Sequence, residues 1–169
     1  MTEIRKEQPG DLDAVRRVNT AAFENGPEAA LVDKLRIACE DYLAFVAVED
    51  GTVVGHILFT PVTVDDCGAV GMGLAPMAVL PSYQHKGVGS QLVRHGLAHL
   101  HRSGCPFVVV LGHPQDYPRF GFEPASRYQL CSQWESVPDE AFMVVIYDAE
   151  VLPRAGSVVR YRDEFDDAI

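Results

Sequence analysis

Hydrophobic positions in this chain switch between a helical and a strand period, and the switches mark out its elements. Leu12, Val15, Val18 and Phe23 recur at helical spacing with Arg16 and Arg17 outside the stripe. This predicts a helix opened by Pro9-Gly10-Asp11 and stopped by Asn25-Gly26-Pro27. Leu31, Leu35 and Ile37 predict a second helix from Glu28 to Cys39. Leu43 to Val48 and Thr52 to Thr60 read as strands joined by Glu49-Asp50-Gly51, because Asp-Gly supplies the positive φ of a tight hairpin turn. A turn at Asp65 to Gly68 leads into a central strand, Ala69 to Leu80, interrupted by Gly71, Gly73 and Pro76. Such residues inside a strand predict a bulge or a close backbone approach. After a polar turn from Pro81 to Lys86, Val88, Leu92, Gly96 and Leu100 fall at four-residue steps beside Val93 and Leu97. They form the apolar stripe of a helix over 87–103, with Arg94, His95, His99 and Arg102 largely on the other side. Phe107 to Leu111 is a β-branched run expected to be a buried strand. Glu3 to Lys6, Phe142 to Tyr147 and Val158 to Tyr161 are further strand candidates. Asp163, Glu164, Asp166 and Asp167 form an acidic terminus expected to be solvated or frayed. Strands alternating with helices point to an α/β or α+β fold built on a mixed sheet.

Composition narrows the class. The chain has 169 residues, 47% hydrophobic and 22% charged, which suits one soluble globular domain spanning 1–169. Cys39, Cys67, Cys105 and Cys131 are widely spread and make no Cys-x-x-Cys, so reduced thiols in a cytoplasm are expected rather than a disulfide framework. No apolar run reaches the length of a membrane span. The net charge of −10 argues against nucleic acid as a partner and mildly favours a cationic one such as an amine. A homodimer is left open.

The candidate chemistry gathers between Pro76 and Leu100. An apolar strand runs into Gly87-Val88-Gly89-Ser90, which opens a helix. The first amides of a helix have no intrahelical partner and lie at its positive end, and glycines let a ligand approach them, which makes an anion site suited to phosphate. A Walker A loop is excluded because Lys86 precedes both glycines. A dinucleotide fingerprint is excluded because Leu92 stands where the third glycine belongs, and Cys105 to Leu111 carries no acid. His95 and His99 are four apart, a spacing able to clasp a metal. The Glu of a zincin motif and a third ligand are missing, so no metal is expected.

Gln84-x-x-Gly87-x-Gly89 after an apolar strand resembles the acetyl-CoA signature of the GNAT superfamily of acyltransferases. Tyr117-x-x-x-Gly121-Phe122 resembles that superfamily's second motif. The run Gly112-His113-Pro114…Tyr117-Pro118-Arg119-Phe120-Gly121-Phe122 is similar to a poorly characterised bacterial branch of predicted N-acetyltransferases. The resemblance covers most of the chain and is strongest from Ala75 to Ala125. It implies a GNAT-type fold with splayed central strands, acetyl-CoA as co-substrate and a primary amine in a small molecule or peptide as acceptor. It also implies the binding residues. Main-chain groups of Met77, Ala78 and Val79 would meet the pantetheine and the acetyl carbonyl. Gln84, His85, Lys86, Gly87, Val88, Gly89 and Ser90 would hold the pyrophosphate. Tyr117 would act at the CoA sulfur. Many members have an Asn seven residues before that tyrosine, and Val110 stands there instead. The family often places a carboxylate base on the central strand, and residues 69–80 carry none. His113, His56, Asp116 or an ordered water are the candidates that remain. Two other readings stay open at this level, a catalytically silent acyl-CoA-binding or regulatory module and a structural or partner-binding domain.

Overall fold

A computed structural model of the chain describes residues 1–168. The described residues include three helices longer than one turn, α1 (Leu12–Ala22), α2 (Glu28–Ala38) and α3 (Val88–Arg102). The strands are β1 (Glu3–Lys6), β2 (Leu43–Glu49), β3 (Thr52–Val64), β4 (Val70–Val79), β5 (Phe107–Leu111), β6 (Glu123–Pro124), β7 (Leu130–Ser132), β8 (Phe142–Ile146) and β9 (Ser157–Arg160). They form one mixed sheet in the order β1-β2-β3-β4-β5-β8-β6, with β9 paired to both β3 and β7. Two compact units share these elements. One holds Met1–Phe59, Ala75–Ala98 and the stretch from Asp163 on. The other holds Thr60–Leu74 and His99–Arg162.

In the first unit, β1, β2 and β3 run antiparallel, Glu3 to Lys6 facing Val48 to Phe45 and Leu43 facing Phe59. The predicted stripe of α3 is the buried one: Val88, Leu92, Val93 and Leu97 are at most 6% exposed. It lies over the sheet at two glycines. A Cβ on Gly55 would stand 3.0 Å from Leu92 Cδ1, and one on Gly96 would stand 2.6 Å from Phe59 Cζ. Gly96 therefore sits where intrinsic preference and packing conflict. Alanine is favoured over glycine inside a helix by about 1 kcal/mol. Phe59 is fully buried, and overpacking such a site costs about 1–3 kcal/mol. Gly96→Ala is expected to be net destabilising by up to about 2 kcal/mol and to lower Tm by up to roughly 8 °C for a chain this size. A raised Tm in calorimetry would show that Phe59 yields and that the contact is soft.

Two expectations change in this unit. Ile37 is 89% exposed, because it lies two residues, roughly 200°, past Leu35 on the helix. Val32 takes its place beside Leu31 and Leu35. The acidic terminus is not free throughout, since Phe165, 1% exposed, anchors a 3-10 turn over Asp163–Asp167 against α2. Its neighbours Asp163, Asp166 and Asp167 remain exposed, so the charges are solvated as expected.

In the second unit, β5 pairs antiparallel with β8 and parallel with β4. A parallel pair needs a crossover connection, which α3 supplies. The parallel register sets Met72, Gly73 and Leu74 opposite Val108, Val109 and Val110. Leu74 is followed by a cis Ala75–Pro76 peptide. Close approach is found at the glycines of this strand. A Cβ on Gly71 would meet Phe107 Cζ at 2.6 Å, and one on Gly73 would meet Tyr161 Cε2 at 2.8 Å. The β2–β3 pair carries a register irregularity between Ala47 and Val48. β3 continues past Thr60 because Thr63 and Val64 find partners in β9.

Candidate active site

The glycine turn is built from the end of β4 outward. Leu80 N–H donates to Val54 O at 2.9 Å and ties the strand end to β3. A 3-10 turn over Pro81–Tyr83 follows, with Tyr83 N–H donating to Leu80 O at 2.8 Å. His85 (φ 64°) and Gly87 (φ 87°) then bring the chain round in left-handed conformations. The first backbone bond of α3 runs from Gln91 N–H to Gly87 O at 3.0 Å. The amides of Gly87, Val88, Gly89 and Ser90 thus precede any intrahelical acceptor and sit at the positive end of a fifteen-residue helix. His85, Lys86 and Gly87 are exposed, while Val88 is buried and anchors the turn.

Gln84 has a different task from its neighbours. Its side-chain Nε2 donates to Val79 O at 2.9 Å, so it clamps the turn to the last residue of β4. Ala78 and Val79 turn their side chains into the core, at 2% and 8% exposure. What this stretch of β4 can offer a ligand is therefore main chain, together with the half-buried Met77. A Cβ on Gly89 would stand 3.2 Å from Met77 Cε and 3.8 Å from Val79 Cγ2, so the helix start lies directly over that strand end.

Tyr117 is positioned within the second unit. Beyond β5, Gly112 N–H donates to Ala141 O at 3.0 Å, and Asp116 N–H donates to His113 O at 3.0 Å to close a turn. Tyr117 then caps a single 3-10 turn, Pro118–Phe120, which Gly121 ends at φ 96°. The ring is half-buried, edge-on to Phe122 at 5.7 Å between centroids and to Phe120 at 6.1 Å. Burial raises the pKa of its hydroxyl; the Asp116 charge adds to this and the Arg119 charge opposes it. Tyr117 is accordingly protonated at neutral pH and available as a donor. Val110, at the position where an Asn was looked for, is 1% exposed and paired with Met143.

Of the candidate bases, His113 and Asp116 are exposed beside Tyr117 in sequence. His56 is fully buried. Its Nδ1 lies 3.1 Å from Asn19 Nδ2, and its Nε2 lies 3.5 Å from Glu7 Oε1, while Glu7 pairs with Arg36. This sets Nδ1 as the acceptor from Asn19. Burial, and then the Arg36 charge, lower the His56 pKa to about 3. It is thus a neutral element of the core and too weak a base to take a proton from an ammonium. Asn19, at 1% exposure, was not singled out in the sequence because an amide inside a helical stripe has no motif of its own.

Among the described residues, no group of three His, Cys, Asp or Glu side chains is gathered that could hold a metal ion. His95 packs edge-on against Phe45 at 4.8 Å. The four cysteines are free thiols. None of the described helices is long and apolar enough to cross a membrane.

Comparison with known proteins places these motifs in context. Residues 12–122 match the acetyltransferase (GNAT) family. The chain is 36% identical over 164 residues to the uncharacterized N-acetyltransferase YhbS of Escherichia coli (strain K12), covering 96% of this chain and 98% of that protein. The crystal structure of Escherichia coli YhbS in complex with CoA superposes with a TM-score of 0.89 at 35% identity, covering 98% of this chain and 92% of the other. A GNAT family acetyltransferase from Brucella melitensis in complex with acetyl-CoA gives 0.82 at 35% identity, over 98% and 99% of the two chains.

Proposed function

The chain belongs to the GNAT family of acetyltransferases, and we propose that it moves an acetyl group from acetyl-CoA to a primary amine by direct attack. The observation that carries this reading is the glycine turn at the start of α3, whose first amides precede the first helical acceptor and lie over the end of β4. The CoA and acetyl-CoA complexes of the two related structures support the choice of anion. In this reading the amides from Gly87 to Ser90 take the pyrophosphate, with exposed His85 and Lys86 alongside. Main-chain groups of Met77, Ala78 and Val79 take the pantetheine, and an N–H among them faces the oxyanion. Gln84 holds the turn in place through Val79 O.

The amine attacks as the neutral base, so an ammonium gives up one proton before the N–C bond forms, and the nitrogen of the tetrahedral adduct gives up a second to water as the adduct collapses to the amide. The C–S bond then breaks, and the sulfur leaves as a thiolate. Tyr117 serves that thiolate. A phenol near 10 handing its proton to a thiol near 8.5 is uphill by about 2 kcal/mol, and the raised pKa of Tyr117 increases the gap. Its role is therefore to donate a hydrogen bond to the developing charge. The acidic surface favours a cationic acceptor. A silent acyl-CoA-binding module is the second reading, favoured by the burial of His56, which takes that histidine out of the candidate bases.

The nucleotide half of the proposal is tested by thermal shift. Saturating acetyl-CoA, at about 100 times Kd, stabilises by about 2.7 kcal/mol, a rise of roughly 5–10 °C for a chain of this size. Acetyl-pantetheine lacks the phosphates and should give little shift at equal concentration. Equal shifts from both would remove the phosphate role of the turn.

A further inference from the structure

We propose that Gly112 is a positioning residue, whose missing side chain is the seat of the Tyr117 ring. The inference rests on the leaving-group role of Tyr117 given above. A Cβ on Gly112 would stand 2.7 Å from Tyr117 Cδ2 and closer still to Cε2. Real carbon atoms do not approach so closely, so either the backbone or the ring would have to move. The backbone is held where it leaves β5. Leu111, the preceding residue, is in register with Phe142, and Gly112 N–H donates to Ala141 O at 3.0 Å. The ring is the freer partner; it meets Phe120 and Phe122 edge-on, and the buried Tyr161 lies near enough to feel its charge.

Backbone conformation does not explain this glycine. Gly121, four residues past Tyr117, has φ 96° and needs the freedom of glycine. Gly112 is outside the left-handed region, and an L-residue could adopt its conformation without strain. What glycine provides at 112 is space, and the Tyr117 ring occupies it. With Phe122 only 2% exposed behind the ring, the phenol has one wall of bare backbone and one of buried aromatic. That arrangement sets the direction of its hydroxyl with few soft contacts. A shift of about 1 Å in a reacting group costs roughly 10²-fold in rate, and the methyl of an alanine at 112 would force a shift of that order.

The test combines stability with kinetics in four variants: Gly112→Ala, Tyr117→Ala, Tyr117→Phe and the Gly112→Ala/Tyr117→Ala double variant. Gly112→Ala should lower Tm in the parent and leave it unchanged or higher in the Tyr117→Ala background, where the methyl enters vacated space. If Gly112→Ala alone does not fold, recovery of folding in the double variant gives the same answer. An equal loss of Tm in both backgrounds would show that the methyl meets something other than the ring, and would overturn the proposal. In kinetics, Gly112→Ala should lower turnover about 10²-fold and leave the Michaelis constant for acetyl-CoA unchanged. Parental turnover in Gly112→Ala, alongside a large loss in Tyr117→Phe, would overturn the seat and keep the role of the tyrosine. Parental turnover in Tyr117→Phe would remove that role, and with it any catalytic meaning of the seat.

Discussion

Replacing Tyr117 with phenylalanine is expected to lower turnover about 10²- to 10³-fold, the cost of removing one donor aimed at charge that develops in the transition state. The variant keeps the ring and its edge contacts with Phe120 and Phe122, so folding should hardly change. The Michaelis constant for acetyl-CoA should also stay near the parental value, because the lost interaction is made with a charge that exists only as the C–S bond breaks. The pH profile carries a second signature. The donor form of Tyr117 is the protonated one, and burial raises its pKa above the ordinary 10. Its contribution is therefore complete through the neutral and mildly alkaline range and is lost only as pH rises through that raised value. An alkaline limb in the parent should be absent in the variant. A Tyr117→Phe enzyme with parental turnover, under conditions where chemistry limits the rate, would leave this tyrosine as packing alone.

Gly89→Val is expected to reduce CoA affinity about 10- to 100-fold. Gly89 is the second residue of α3, between the exposed turn and the end of β4. A Cβ there points at Met77 Cε, 3.2 Å away. A branched side chain would stand over the stretch of β4 proposed to meet the pantetheine and would crowd the amides proposed to meet the phosphates. Losing one hydrogen bond to a charged group costs about 1.5–3 kcal/mol, which converts to that range of affinity. Met77 is flexible and half-buried, so its thioether end can move and the fold should survive. Titration calorimetry with CoA reads the affinity directly. A folded Gly89→Val protein with parental affinity would remove the phosphate site from the start of α3.

Much of this was legible in the chain, for reasons that differ by element. α3 and β4 were readable because an apolar strand meets a long helical period at two glycines. β6 and β7, of two and three residues, were not, since neither is long enough to show an alternation. Ile37 shows that hydrophobicity alone does not place a residue in the core, since its angle on the helix turns it to solvent. The acidic tail concealed Phe165 among four carboxylates, and a single aromatic within a charged run is easily passed over. His56 could have been read as core from its place in the run Val53 to Phe59, where both faces of the strand are apolar. Gly112 could not, because its meaning lies in a ring five positions further on that returns over the end of β5. The two motifs were legible as motifs; the clamp from Gln84 to Val79 and the walls around Tyr117 depend on packing, which no spacing encodes.

The central claim is transfer of an acetyl group to an amine. The most direct measurement is release of free thiol from acetyl-CoA across a panel of primary amines, with the parent and Tyr117→Phe run side by side and products weighed by mass spectrometry. The account predicts thiol release that depends on the amine, an acetylated amine formed in equal amount, and a rate about 10²- to 10³-fold lower in the variant. Tight CoA binding with no amine-dependent thiol release across the panel, which must include small metabolite amines, lysine side chains and peptide N-termini, would contradict it and leave the protein as an acyl-CoA-binding module.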